Sequence, residues 1–195
     1  MYLGRHGFKH IVGLDEVGRG SWAGPLVACA IKLPKDKRFY KIRDSKILIS
    51  IEREKMARKL MHVCKYGIGI VEVGEINQMN LHQVNLLAYK RALAGLRSKI
   101  DFVLIDGFRA PNIEYPHKAI KGGDRICASI AAASIVAKVY RDKLMAKLAR
   151  KYKVWRFDSN KGYGTSFHQK MLKKLGPLEI HRMRFAPIKA TLNNQ

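Results

Sequence analysis

Acidic side chains follow apolar runs at two places in this sequence, and another acidic residue begins a predicted helix. Asp15 and Glu16 come directly after the buried run at residues 12–14, and Asp106 ends a second short apolar run. Asp124 precedes a long helical pattern of apolar residues. Ligands of open α/β sheets bind at the carboxyl ends of strands. The spacing therefore predicts that these four carboxylates converge at one edge of a sheet.

Such a cluster would repel the phosphates of nucleic acid unless cations lie between them. Mg²⁺ and Mn²⁺ take hard oxygen ligands and keep positions for water and substrate phosphate. Two such ions about 4 Å apart can activate an attacking water and stabilise the leaving oxygen of a phosphodiester. We therefore predict a divalent-metal site. A helix cap for Asp124, or a solvated sheet edge for Asp15 and Glu16, remains the structural alternative.

A glycine-framed bend, Gly18-Arg19-Gly20, follows the first two acids. The dinucleotide-binding fingerprint has the form GxGxxG and opens a helix. Here Gly24-Pro25 lead into the apolar segment LVACAIKL, which favours a second strand, so we exclude a dinucleotide site. The sequence also lacks the motifs of P-loop proteins, serine hydrolases and zinc proteases.

The segment NKGYGTSFH at residues 160–168 places a tyrosine between two glycines. Tyr163 on such a bent backbone can stack on a sugar or a base, although a turn that packs the ring inward explains it equally well. His168 alone is more typical of a structural or helix-capping residue. Lys46, in the loop motif DSK, is uninformative by itself.

The excess of positive charge indicates a polyanionic partner. Lys and Arg number 38 against 15 Asp and Glu, which gives a formal net charge of +23. Nucleic acid is the usual partner of such a protein. An anionic membrane is the alternative, but the sequence shows no lipidation motif or interfacial helix. A thermophile-like surface would carry balanced Glu and Lys.

Length and composition favour a cytoplasmic protein of one domain. The chain has 195 residues, 47% of them hydrophobic, which suffices for a substantial core. No apolar run approaches the roughly 20 residues that span a bilayer, and the N-terminus has no signal-peptide core. Three separated cysteines predict neither a disulfide framework nor a zinc cluster. We expect a single domain over residues 1–195, with a monomer as the default.

Hydrophobic periodicity predicts an α/β fold with a mixed central sheet flanked by helices. The predicted strands are 10–17, 23–33, 67–73, 101–106 and 117–122. The predicted helices are 51–66, 81–96, 124–152, 165–175 and 177–184, with Ile126 in the apolar stripe of the third. Tandem early strands followed by alternating strands and helices indicate a mixed sheet. Residues from about 143 to 195 would form a helical C-terminal extension.

Motifs from almost the whole chain occur in a recognisable order. They are GLDEVGRGSWAGPLV, DSK, LIDG, KGGD, ASIAAASIVAKVYRD, NKGYGTSFH and HRMRFAPI, over about residues 11–188. This set resembles type 2 ribonuclease H, the prokaryotic ribonuclease HII family. The resemblance implies an RNase H-like fold and endonucleolytic hydrolysis of the RNA strand of RNA–DNA hybrids. It also implies cleavage 5′ of single ribonucleotides in duplex DNA, leaving 3′-hydroxyl and 5′-phosphate ends, in ribonucleotide and primer removal.

The resemblance also assigns roles by matching position. The catalytic carboxylates, which would bind Mg²⁺ or Mn²⁺ as two ions with substrate, are Asp15, Glu16, Asp106 and Asp124. The motif that would contact the ribonucleotide 2′-hydroxyl and the adjoining phosphate is Gly18, Arg19 and Gly20. Close backbone approach suits glycine, and the 2′-hydroxyl distinguishes RNA from DNA.

Five more residues match or lie beside substrate-binding positions of the family. Tyr163 would pack on the sugar at the RNA–DNA junction, and Lys46 would contact a phosphate. Lys138, Arg141 and His168 lie in motif blocks near the site and are further substrate-binding candidates.

The sequence departs from the family at several positions, and other classes of protein remain as alternatives. Ser21-Trp22 stands where the family often has Pro-Leu, and Ile47 replaces a lysine often seen after DSK. A basic module that binds nucleic acid without catalysis would explain the charge but not the carboxylates. A junction resolvase of the RNase H fold would share the acids but would not need Gly18–Gly20 or Tyr163. Type 3 ribonucleases H usually lack the glycine-arginine-glycine motif.

Overall fold

A computed structural model describes residues 7–34, 42, 49–107, 110 and 112–192, and Lys46 and the DSK motif lie outside these ranges. The strands are β1 (Ile11–Val17), β2 (Leu26–Lys32), β3 (Lys65–Val71), β4 (Phe102–Asp106) and β5 (His117–Ile120). The first helices are α1 (Ser50–Val63), α2 (Val73–Ile76), α3 (Leu81–Gly95), α4 (Gly123–Ile126) and α5 (Ala128–Lys151). After a 3₁₀ turn at Lys153–Trp155 come α6 (Phe157–Asn160), α7 (Ser166–Leu175) and α8 (Ala186–Leu192).

The five strands form one mixed sheet in the order β3-β2-β1-β4-β5, so the predicted α/β class is confirmed. The hairpin-like half, β3, β2 and β1, is antiparallel, whereas β1, β4 and β5 run parallel. β1 is therefore central, with β2 on one side and β4 on the other. Because β1 and β4 are parallel neighbours, their carboxyl ends lie at the same edge of the sheet.

Alternating residues of β1 face two separate helical layers. Val12 and Leu14 belong to the core formed with α3, where Ala88 and Ala92 are also fully buried. The opposite face of the sheet packs against α1 and α5. Since side chains alternate along a strand, Gly13 and Asp15 point to the α5 side.

The long helix α5 lies directly on β1 at a position where only glycine fits. A Cβ built on Gly13 would overlap the backbone of Ser129 and Ile130 in the first turn of α5. Next to this contact, residues Ala131, Ala132 and Ala133 of α5 are fully buried. Small residues on both elements thus allow the helix backbone to approach the sheet closely.

Two of the helix predictions are wrong in detail. The predicted helix 124–152 is divided at Cys127, whose backbone is extended (φ −116°, ψ 117°), into α4 and α5. Ile126 is 60% exposed, so it does not belong to the apolar stripe. Residues 177–184 are not helical, because this segment bonds to the chain after β1: Gly24 N–H donates to Ile180, and Arg182 N–H donates to Trp22.

The C-terminal segment has an apolar cluster of its own that includes one residue of the N-terminal half. Its buried members are Ala23, Met145, Trp155, Phe157, Leu172 and Ile188. The helices after α5 therefore pack on the end of α5 and on the chain segment that joins β1 to β2. None of the helices in the described ranges has the length and apolar content needed to cross a bilayer.

We expect Gly13→Ala to destabilise the protein, because the added methyl would overlap the backbone of α5. Overpacking of this kind costs about 1–3 kcal/mol or more. A chain of this size loses about 2–4 °C of melting temperature per kcal/mol, so we expect a fall of roughly 3–10 °C. Thermal unfolding followed by circular dichroism measures the shift.

The matched control is Gly74→Ala, since nothing lies within 4 Å of a Cβ built at Gly74 in α2. We expect this variant to unfold at or slightly above the temperature of the parent protein. A Gly13→Ala variant as stable as the parent would contradict the close packing of α5 on β1.

Candidate active site

The first predicted acid is buried beneath α5 near the carboxyl end of β1. Asp15 pairs with Cys29 of β2 and is 6% exposed. One of its oxygens accepts the N–H of Glu16 at 2.8 Å, and Ser134 of α5 donates a second hydrogen bond. Burial, followed by the negative charges of Glu16 and Asp106, raises the pKa of Asp15 well above its ordinary value. Asp15 therefore lies close enough to both Glu16 and Asp106 to be repelled by their charges.

Glu16 points to the opposite face of the sheet, where α3 holds it. Asn85 donates to its Oε1 at 2.9 Å, and the Tyr89 hydroxyl donates to its Oε2. Burial and the Glu16 charge raise the pKa of Tyr89 well above its ordinary value, so the phenol stays protonated as the donor. Neither Asn85 nor Tyr89 was predicted. The available signal was their spacing: two polar side chains four residues apart lie on one face of a helix whose other buried residues are apolar.

The other two acids are linked through the backbone before α4. Asp106 is the last residue of β4, as predicted, and its Oδ1 accepts the N–H of Gly123 at 2.6 Å. Asp124 follows in the first turn of α4 and is 3% exposed. The hydrogen bond thus brings the start of α4 to the end of β4. All four predicted acids are at the carboxyl edge of the parallel half of the sheet.

The donor atoms at this edge fit a hard divalent cation. They are carboxylate oxygens, together with the buried Oδ1 of Asn85, which has no hydrogen-bond partner among the described residues. No group of three or more His, Cys, Asp or Glu side chains within those ranges is already arranged to hold a metal ion. Asp15 and Glu16 leave the strand on opposite faces, so these two neighbours do not face a single ion together in this arrangement. A cation would have to draw mutually repelling carboxylates together.

The bend after β1 gives its two glycines different surroundings. Gly18 has a φ of +90°, and a Cβ there would overlap the Arg141 side chain. Gly20 is exposed, and nothing lies within 4 Å of a Cβ built on it. Arg19 between them is half-buried. The fold therefore explains the glycine at 18 but not the glycine at 20.

The structure places Arg141 in the interior and not on a substrate-binding surface. It is fully buried, and its guanidinium donates to Pro25 O at 2.9 Å, Lys161 O at 2.9 Å and Ser21 Oγ at 2.7 Å. Arg182, which was not singled out from the sequence, is also fully buried and donates to Arg19 O and Gly24 O. In this structure both arginines hold the loop between β1 and β2.

His168 is likewise fully buried, where it supports the loop that carries Tyr163. Its Nδ1 lies 2.9 Å from Tyr163 O, and its Nε2 lies 3.0 Å from Nε2 of His181. Leu178 N–H donates to Nδ1 of His181, so Nε2 of His181 carries the proton and donates to His168. Burial and then the neighbouring His168 lower the pKa of His181 to about 4. The pair is neutral near pH 7.

The remaining two candidates lie nearer the surface. Tyr163 is half-buried, and its ring centroid is 5.6 Å from the Arg141 guanidinium carbon. Lys138 on α5 forms a 2.8 Å ion pair with Asp142 one turn away, and both side chains are partly exposed. Of the predicted substrate contacts, Arg19, Gly20, Tyr163 and Lys138 are thus accessible, whereas Gly18, Arg141 and His168 are buried.

Comparison of the sequence with known proteins identifies its family. The family described as Ribonuclease HII matches residues 12–188. Ribonuclease HII of Chlamydia caviae is 47% identical over 186 residues, which cover 94% of this chain and 87% of that protein. Ribonuclease HII of Ehrlichia chaffeensis is 45% identical over 183 residues, with 92% and 88% covered.

Solved structures agree with the sequence relatives. The ribonuclease H2 of Pyrococcus horikoshii superposes with a TM-score of 0.81 and 26% identity, covering 95% of this chain and 98% of that one. The Bst ribonuclease HIII in complex with Mn²⁺ has a TM-score of 0.77 at 20% identity, covering 95% and 70%, and shares the fold. On the strength of the family match and these relatives, the chain belongs to the ribonuclease HII family, the hydrolases that cut RNA within RNA–DNA hybrids.

Proposed function

We propose that this protein uses divalent metal ions to cut the RNA strand of RNA–DNA hybrids and to cut duplex DNA on the 5′ side of a single embedded ribonucleotide. The products would be 3′-hydroxyl and 5′-phosphate ends. This activity would serve the removal of ribonucleotides and RNA primers from DNA. The observation that carries the proposal is the buried carboxyl of Asp15, which feels the charges of both Glu16 and Asp106 at the carboxyl edge of the sheet, a few residues from the open bend at Gly20.

The four carboxylates would hold Mg²⁺ or Mn²⁺, in line with the Mn²⁺ bound by the Bst ribonuclease HIII. Such ions, when bound, lower the pKa of water and offset charge that develops on the phosphodiester. The protein's own part is to orient the ligands. Asn85 and Tyr89 hold Glu16, Ser134 holds Asp15, and the Gly123 amide holds Asp106. Oriented outer partners of this kind tune metal affinity.

Recognition of the ribonucleotide would depend on the bend and on Tyr163. The space above Gly20 lets a sugar approach the backbone, where a 2′-hydroxyl can exchange hydrogen bonds with peptide groups. The half-buried ring of Tyr163 would pack against the sugar of the junction. The net charge of +23 would hold the phosphate backbone, in a manner that salt weakens.

The test of the proposed function is a cleavage assay on a DNA duplex that contains one ribonucleotide. We expect a cut on its 5′ side with Mg²⁺ or Mn²⁺, no cut with a chelator, and no cut of the all-DNA duplex. Asp124→Asn should lower kcat/KM by at least about 100-fold. Loss of a residue that only supports a metal ligand already lowers activity by up to about 100-fold, and Asp124 is proposed as a ligand itself. Binding of the duplex should persist, because a negative charge near phosphate is lost.

Asp158→Asn serves as the matched control, since Asp158 is exposed on α6 and the same charge is removed. Its cleavage rate should equal that of the parent protein. Binding without cleavage under every metal tested would leave a basic nucleic-acid-binding protein and would refute the proposal.

We expect Mn²⁺ to raise the melting temperature of the parent protein, because a cation relieves the repulsion within the carboxylate cluster. Asp15→Asn removes one buried negative charge from that cluster. Without metal, the variant should therefore unfold at least about 2 °C above the parent protein. In a chain of this size, that shift corresponds to a gain of about 1 kcal/mol in the free energy of unfolding. The variant's gain from Mn²⁺ should be smaller than that of the parent. Differential scanning calorimetry with chelator or Mn²⁺ measures both effects.

Asp158→Asn is again the control and should gain as much from Mn²⁺ as the parent does. An Asp15→Asn variant with the full Mn²⁺ response would show that Asp15 is not part of the metal site.

We expect Gly20→Ala to keep the parent's stability but to lose activity on the single-ribonucleotide duplex. The methyl group finds open space in the free protein, but it would occupy the space through which the sugar approaches. A clash of this kind should lower kcat/KM about tenfold or more, which corresponds to a loss of about 1.4 kcal/mol of transition-state stabilisation. Melting temperature and cleavage rate are measured on the same samples.

Gly18→Ala is the comparison, because Gly18 combines a φ of +90° with contact to Arg141. This variant should lose stability as well as activity. A Gly20→Ala variant with the parent's cleavage rate would mean that the substrate does not approach the backbone at Gly20.

A further inference from the structure

Two fully buried arginines stand out because the hydrogen-bond acceptors around them are neutral groups, although the charge of Asp142 also acts on Arg141. Neither Arg141 nor Arg182 forms an ion pair with a carboxylate among the residues that the structure describes. Burial and the neighbouring Arg141 lower the pKa of Arg182 to about 9, and burial lowers that of Arg141. A buried charge without an ion partner is costly unless hydrogen bonds replace the lost water. Both side chains must therefore be held by the groups to which they donate.

Most of those groups are backbone carbonyls of the loop between β1 and β2. Arg182 Nη1 donates to Arg19 O at 3.0 Å, and its Nε and Nη2 both donate to Gly24 O. Arg141 donates to Pro25 O at 2.9 Å and to Ala23 O at 3.2 Å. Two planar forks from distant parts of the chain thus bind carbonyl groups of one eight-residue segment, 18–25.

Ser21 links one fork to the predicted recognition bend. Its Oγ accepts from Arg141 Nη2 at 2.7 Å and donates to Gly18 O at 2.7 Å. The proline that the family often has at this position offers no hydroxyl for such a bridge. A residue without a side-chain hydroxyl at position 21 could not form this bridge.

Arg141 also contacts the second loop of the site. Arg141 Nη1 donates to Lys161 O at 2.9 Å, and the Arg141 guanidinium carbon lies 5.6 Å from the centre of the Tyr163 ring. The two loops that would contact the ribonucleotide are thus joined through Arg141.

We propose that Arg141 and Arg182 form an arginine clamp that positions the Gly18–Gly20 bend against the Tyr163 loop, so that ribonucleotide recognition depends on two residues that do not touch the substrate. The inference rests on the proposed function and adds positioning residues to it. A flexible glycine-rich bend would lose conformational freedom on binding, and the clamp removes that cost before the substrate arrives. Both arginines are positioning residues, not catalytic ones.

The test uses Arg182→Lys, which keeps the charge and the apolar stem. A lysine ammonium cannot reproduce the planar fork that reaches Arg19 O and Gly24 O together. Ser21→Ala is a milder second variant that leaves both guanidinium groups in place. Arg91→Lys is the matched control, because Arg91 also donates to a backbone carbonyl, that of Ile70, but lies on the surface paired with Glu75.

Two quantities are measured on the full chain carrying Asp124→Asn, which keeps the duplex uncut. The first is amide hydrogen exchange in residues 18–25. The second is ribonucleotide preference, the ratio of Kd for an all-DNA duplex to Kd for the same duplex with one ribonucleotide. In both variants we expect faster exchange in residues 18–25. The ribonucleotide preference should fall about tenfold in Arg182→Lys, which loses hydrogen bonds made by a charged group, and about threefold in the milder Ser21→Ala. Affinity for the all-DNA duplex should stay within about twofold, because the charge is retained.

Unchanged exchange in residues 18–25 in both variants would overturn the clamp. Faster exchange with full ribonucleotide preference would overturn its role in recognition. Arg91→Lys should match the parent in both measurements, and an equal effect in this control would overturn the assignment to Arg182. Absence of any ribonucleotide preference in the parent would refute the proposed function, and hydrogen exchange would still decide whether the clamp holds the loop.

Discussion

The close contact between α5 and β1 is the constraint on which the rest of the structure depends. It begins at Gly13, where a side chain would overlap the helix backbone. Residues after Gly13 then contact successive turns of α5. Asp15 accepts a hydrogen bond from Ser134, and Gly18 lies against Arg141, about two turns further along the helix. One helix therefore sets the position of a candidate metal ligand and of the candidate recognition bend at once. A displacement of α5 would move both together, which keeps the bend in register with the carboxylates.

The interior of this protein holds charges of both signs, and they are satisfied in different ways. The acids lie at the sheet edge, where amide, hydroxyl and phenol donors take part of their oxygens and a cation would take the rest. The buried arginines are satisfied by backbone carbonyl groups and, for Arg141, also by the Ser21 hydroxyl. If the buried arginines formed ion pairs with the acids at the sheet edge, those carboxylates would no longer be available to bind a metal ion. Their separation leaves the carboxylates available, at the cost of mutual repulsion.

Much of the fold and most of the candidate acids could be predicted from the sequence, because these features depend on local periodicity. The strands, α3 and the position of Asp106 at the end of β4 follow from alternation and apolar runs. The non-helical segment 177–184 could not be predicted, since its backbone bonds to residues about 160 positions away. The interior position of Arg141 and Arg182 contradicts the general rule that charged residues are exposed, and it depends on carbonyl groups that only the folded loop brings together. The opposite orientations of Asp15 and Glu16 follow from strand geometry, but their partners on α5 and α3 required the tertiary structure.

The hydrogen bond from Arg182 to the carbonyl of Arg19 has a consequence for the polarity of the bend. In a trans peptide the C=O of one residue and the N–H of the next point in opposite directions. Because the Arg19 carbonyl is turned inward, the N–H of Gly20 is directed away from the buried guanidinium, on a residue that is itself exposed. The clamp therefore orients a peptide dipole with its positive end toward the outside. An oxygen atom of a nucleotide is the kind of group that such an outward-facing amide attracts.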